Sequence, residues 1–176
     1  AGNRLYVKAP LTGAFATVLD HPHSAPYGLQ ISYTTASPNT TDNECILARD
    51  ATQSKFLVYS SGNVLNRNNS YGGISDVKLK ENIVDASPKL ADLMQVKVRS
   101  YNMIGDESKQ LGVIAQELET VFPKMVDEAF DKDDEGNRLE TTTKSVKYSV
   151  FVPMLIKAIQ ELKAEVDSLK QQLASK

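Results

Sequence analysis

The sequence predicts an α+β chain: a β-rich stretch over residues 1–74, then a small mixed α+β stretch over 75–176 ending in a long helix at about 150–174. Three observations predict this. Short apolar runs separated by Ser/Thr/Asn/Pro turns fill the first part, the pattern of half-buried strands. Charged, helix-forming segments alternate with strand-like runs after Ser75. From Val152 to Leu173 apolar residues recur at spacings of three and four, which is the period of a helix seam.

In chain order, Leu5-Tyr6-Val7 reads as a short strand, and Pro10, Pro22 and Pro26 punctuate loops. Leu29, Ile31 and Tyr33 alternate with Gln30 and Ser32, which predicts a half-buried strand. Ser37-Pro38-Asn39 and Thr41-Asp42-Asn43 supply turn chemistry. Cys45-Ile46-Leu47-Ala48 and Phe56-Leu57-Val58-Tyr59 predict two further strands, and Ser60-Ser61-Gly62-Asn63 a tight turn into Val64-Leu65. Asn66 to Gly73 is polar and turn-like.

After Ser75, Ser87 and Pro88 predict a helix start, with Ser87 as N-cap and Pro88 at the first helical position before Lys89–Met94. Val96–Tyr101 alternates as a strand, Asp106–Gln110 is a loop, and Leu111-Gly112-Val113-Ile114 is a short apolar run. Ala115–Val121 predicts a helix that must stop before Pro123. A strand from Met125-Val126, an acidic turn over Asp131–Asn137 and a returning strand over Thr141–Tyr148 form a hairpin. The acidic turn is not an EF-hand loop, because the twelfth position that needs a bidentate Glu holds Thr142.

In the last helix Val152, Leu155, Ile159, Leu162, Val166, Leu169 and Leu173 form an a/d seam, with Val152 at a. Glu165 then falls at g and Lys170 at the following e, a sign-matched pair between parallel neighbours. Ile156 at e broadens the stripe, which leaves open a single helix packed on its own domain. β-branched residues at a and Leu at d favour two strands by rule.

Composition sets outer bounds. With 176 residues there is room for one ordinary or two small domains, and with no Trp, five Phe and seven Tyr each part has a thin core that oligomerisation would remedy. A net charge of −2 gives no case for nucleic acid. No run approaches a membrane span, and Ala1-Gly2-Asn3-Arg4 does not read as a signal peptide, so the chain reads as soluble and made in a cytoplasm. The single Cys45 reads as a small buried hydrophobe. His21 and His23 could contribute six imidazoles around a three-fold axis, but a proline turn with two exposed histidines is the simpler reading. No metal or other cofactor is assigned.

Chemistry is sought at Ser75-Asp76-Val77-Lys78-Leu79-Lys80-Glu81-Asn82-Ile83. A serine hydroxyl needs a base to become a nucleophile. No histidine follows residue 23, which makes a neutral lysine the alternative base, as in Ser-Lys enzymes. Lys80 is the candidate, with Lys78 a neighbouring cation. Five residues apart, the two side chains lie on opposite faces of a strand or roughly 140° apart on a helix, so a bend or a contact between chains must join them. The electrophile is the carbonyl of Ile74, and Gly72 and Gly73 would allow unusual backbone angles beside it. The residues alone equally allow Ser75-Asp76 as a turn or helix cap, with solvated lysines.

The stretch resembles the start of the intramolecular chaperone autoprotease domain found at the C-terminus of phage tail spikes, tail fibres and neck appendages, and in the myelin regulatory factor family. The family opens with Ser-Asp-x-Arg-x-Lys-x-x-Ile, which Ser75, Asp76, Lys80 and Ile83 match. Lys78 replaces the usual Arg and loses its planar fork. The resemblance continues through Leu111–Leu118, Phe122-Pro123, Val146–Ser149 and Val152–Glu161, and so runs from Ser75 to the C-terminus.

The resemblance implies a homotrimer held by the chaperone domain (75–176) and its coiled coil. It implies cleavage of the Ile74-Ser75 bond, with Ser75 as nucleophile, Lys80 as base, and Asp76 and Lys78 in support. Residues 1–74 would be the β-rich end of a mature fibre in the virion, open to binding a host receptor. The chaperone would be released in the host cytoplasm during assembly. The alternative is a trimerisation module that never cuts.

Overall fold

The computed structural model describes residues 7, 17, 29–33, 35–133 and 135–175. The predicted strand at Leu5-Tyr6-Val7, for all but Val7, and His21 and His23 lie outside them. The chain divides into two compact units, Ala1–Asp76 and Val77–Lys176.

In the first unit three antiparallel strands form a meander: β1 (Glu44–Arg49), β2 (Ser54–Tyr59) and β3 (Val64–Asn66). Leu47 pairs with Leu57, and Leu57 with Leu65, which lines up the branched side chains across the sheet. The β1–β2 turn is closed by Asp50, whose Oδ1 accepts the Thr52 and Gln53 N–H groups at 2.8 Å each. The β2–β3 turn needs Gly62, which has φ +82°. Cys45 is half-buried and its Sγ donates to the Val58 carbonyl at 3.2 Å.

The predicted strand at Leu29–Tyr33 does not form. Those residues form no strand pairing among the described residues, and Leu29 is exposed. Alternation describes a strand's faces, but the strand also needs a neighbour to take its hydrogen bonds.

The second unit begins with a 3-10 turn at Val77–Leu79 and continues through α1 (Leu90–Leu93) to the hairpin of β4 (Arg99–Asn102) and β5 (Lys109–Gly112). Next come α2 (Ala115–Glu119) and a 3-10 turn at Pro123–Met125, then the hairpin of β6 (Val126–Lys132) and β7 (Arg138–Val146). A 3-10 turn at Tyr148–Val150 runs directly into α3 (Phe151–Ala174). Pro153 is tolerated there because the first helical turn has no internal acceptor for its missing N–H. The α+β class is thus as predicted, with the long helix at 151–174.

Among the described residues the buried apolar side chains are Leu118, Met125 and Ala158, all in this unit. Leu118 in α2 is 1% exposed. Burial of a leucine is worth about 1.5–3 kcal/mol. α2 packs on the β6–β7 hairpin and is tied to it by Lys144 of β7, whose Nζ lies 2.7 Å from Glu119 Oε2 and 3.3 Å from Glu128 Oε2. The acidic hairpin tip is held by its own side chains: Asp133 accepts the backbone N–H of Asn137 at 2.7 Å, and Gly136 takes φ +87°.

Candidate functional site

Ile74, Ser75 and Asp76 close the first unit in a solvent-exposed run outside any helix or strand, and Ile74 is 89% exposed. Val77–Leu79 then turn tightly, with the Lys80 N–H donating to the Val77 carbonyl at 3.1 Å. Lys78 sits in this turn and Lys80 just after it, both exposed and both in the second unit. Between Asp76 and Lys80 the backbone makes one 3-10 turn. Gly72 and Gly73 do not take left-handed angles; Asn69 (φ 48°) and Asn82 (φ 53°) do. Both lie outside the Val77–Leu79 turn, and their short amides tolerate that region.

The body of the second unit is fastened by three contacts. Glu161 of α3 caps α1: its Oε1 accepts the Lys89 N–H at 2.8 Å and its Oε2 the Leu90 N–H at 2.9 Å. Those two bonds, the Leu90 one foremost, hold the Glu161 carboxyl below its ordinary range against the opposing effect of desolvation. Ser87 is not the cap: α1 starts after Lys89, and no side chain of its own segment caps it. Arg99 grips Glu117 through Nε and Nη2 at 3.0 and 2.6 Å, joining β4 to α2 and lowering the Glu117 carboxyl. Finally, the Tyr148 hydroxyl accepts the Val113 N–H at 3.1 Å, and a Cβ on Gly112 would stand 2.6 Å from that hydroxyl and 2.9 Å from that of Tyr101. Only glycine fits at 112 without movement.

α3 carries two apolar stripes. Phe151, Met154 and Ala158, with Glu161 beyond them, form an inward stripe that packs toward α1. The seam from Val152 to Leu173 lies roughly a quarter turn away. Every seam residue is exposed in the single chain, from 37% at Val166 to 72% at Leu173. The stripe that packs on the chain's own body is thus distinct from most of the seam, with Leu155 bordering both. Beside α3, an open apolar groove of about 470 Å³ is lined by residues that include Leu93, Met94, Val98, Leu111, Phe151 and Leu155. β4 begins at Arg99, three residues later than the alternation predicts, because Val96 and Val98 line this groove instead of pairing.

Residues 75–127 match the Peptidase_S74 family model, described as chaperone of endosialidase. The resemblance holds over that segment. Its match begins at Ser75 and takes in Lys80, the Leu111–Leu118 block and Phe122-Pro123. A solved structure of the carboxy-terminal domain of the bacteriophage T5 L-shaped tail fibre with its intra-molecular chaperone domain is similar at 9% identity and a TM-score of 0.36. That likeness covers 69% of this chain and 41% of that one. Among curated proteins none matches.

Sequence reasoning missed Glu161 and the groove. Glu161 carried no local signal, being a carboxylate in the middle part of α3 whose partners lie 71 and 72 residues away. Among the described residues, no cluster of three His, Cys, Asp or Glu is placed to hold a metal, and no helix is long and apolar enough to cross a membrane.

Proposed function

We propose that residues 75–176 are an intramolecular chaperone that assembles three copies of a phage tail fibre or spike and then releases itself by cutting the Ile74-Ser75 bond. The observation that carries this reading is the family match that starts at Ser75 itself. The exposed seam of α3 supports association of copies through that helix, and the division after Asp76 lies close to the bond to be cut.

In this reading the Ser75 Oγ attacks the Ile74 carbonyl carbon. Lys80 takes the hydroxyl proton and returns it to the departing Ser75 nitrogen, so the amide becomes an ester with a free Ser75 amine. Water then hydrolyses the ester, leaving an Ile74 carboxylate and a restored serine hydroxyl. A lysine base works when its neutral form is favoured by burial. Lys80 is exposed in the single chain, so that burial would come with assembly, which makes cutting conditional on correct trimerisation. Asp76 and Lys78 would shape the turn around the pair. Release leaves 1–74 as the end of a virion fibre that cannot readily refold without its aid.

The test follows intact mass and N-terminal sequence of the purified chain over time, with Ser75→Ala and Lys80→Ala in parallel. A new N-terminus at Ser75 that is absent in both variants supports the mechanism. Cutting that survives Lys80→Ala places the base elsewhere. A stable trimer that never cuts leaves the non-cleaving trimerisation module.

A further inference from the structure

The heptad register that puts Val152 at a and Leu155 at d puts Phe151 at g and Ile156 at e. In parallel coiled coils g of one helix lies beside e of the next heptad on its neighbour. Phe151 of one copy therefore faces Ile156 of another, as Glu165 faces Lys170. Positions e and g are ordinarily charged, and the later e positions here are Lys163 and Lys170. Ile156 departs from that pattern. It is 53% exposed in the single chain, on the side of the seam away from the inward stripe.

Phe151 accounts for the departure. It forms one wall of the open apolar groove whose other walls include Met94, Val98 and Leu111, and Leu111 is 77% exposed. Leu155, a seam residue, lines the same groove, so the groove and the seam are one continuous apolar surface. We propose that this groove is a socket for Ile156 of a second copy of the chain. Each α+β body would then clasp its neighbour's helix, and a helix-only association would become one that also senses whether the neighbour's body is folded. The inference rests on the association of copies proposed above.

The experiment measures association of the full chain by sedimentation across concentrations, for the unmodified sequence, Ile156→Asp, Leu111→Lys and the two combined. Circular dichroism checks each fold; both positions are exposed, so each copy is expected to fold normally. Ile156→Asp and Leu111→Lys should each weaken association by about tenfold or more, as an unpaired charge in an apolar contact does. The combination should recover much of that loss, because the new aspartate meets the new lysine of the neighbouring copy. If the unmodified chain associates but either single change leaves association unaltered, or the two losses simply multiply, the socket is wrong and assembly stands. An unmodified chain that sediments as single copies at every concentration overturns both.

Discussion

Leu90 and Glu161 stand 71 residues apart in sequence, and the backbone N–H of one donates to Oε2 of the other at 2.9 Å. With the matching bond from the Lys89 N–H, one carboxylate satisfies two of the unpaired donors at the start of α1. The contact welds the start of the second unit's body to its long helix.

Acid should loosen this weld. The Glu161 carboxyl is held below its ordinary value of 4.5, first by the Leu90 N–H and then by the Lys89 N–H, with the Lys157 and Lys89 charges adding to the effect. A depressed acid contributes its full stability above its unfolded pKa and loses it as pH falls through the folded one. The melting temperature of Glu161→Gln should lie a few degrees below that of the unmodified chain at pH 7, and the gap should close as pH is lowered below 4.5. A gap that stays constant with pH would remove Glu161 as the titrating cap.

Gly112→Ala forces a methyl against two phenol oxygens, and Tyr148 cannot withdraw without giving up the Val113 N–H. Overpacking of this kind costs about 1–3 kcal/mol. Urea unfolding should show that loss, and adding Tyr148→Phe should return part of it by removing the nearer oxygen. Equal stability of Gly112→Ala and the unmodified chain would show that the ring yields freely.

Leu118→Ala empties a fully enclosed site under the β6–β7 hairpin. Leucine-to-alanine changes in cores cost about 2–5 kcal/mol. Chemical denaturation followed by circular dichroism should report a loss in that range, and a loss below ~1 kcal/mol would mean that the hairpin closes over the gap.

Leu162→Asp sits at a d position that is half exposed in the single chain and off the inward stripe. Sedimentation should show assembly lost while the circular dichroism of each copy is kept. Loss of the fold itself would show that the seam serves the single chain.

The legible parts of the chain were those fixed by neighbours in sequence. Cys45–Ala48, Phe56–Tyr59 and the Gly62 turn could be read because alternation and turn chemistry act over a few residues. Leu29–Tyr33 carries the same alternation but pairs with no strand among the described residues. Ser87 had the right chemistry for a cap, but Glu161 arrives from another element, and no local pattern announces a donor pair satisfied over such a distance. At the candidate site, Ser75 and Lys80 were visible as residue types, and the 3-10 turn between them was not. The groove escaped notice because Val96 and Val98 looked like strand residues.

The quarter-turn offset between the two stripes of α3 has a genetic consequence. Met154 and Ala158 face the copy's own body, while Ile159, Leu162 and Val166 are exposed and, in the assembly proposed above, would face its neighbours. In that assembly mutation could retune how strongly copies hold together, or which related copies mix, without touching the architecture of any one of them. Two selective pressures that would compete on a single-faced helix can be met here by different residues, each free to drift while the other is held.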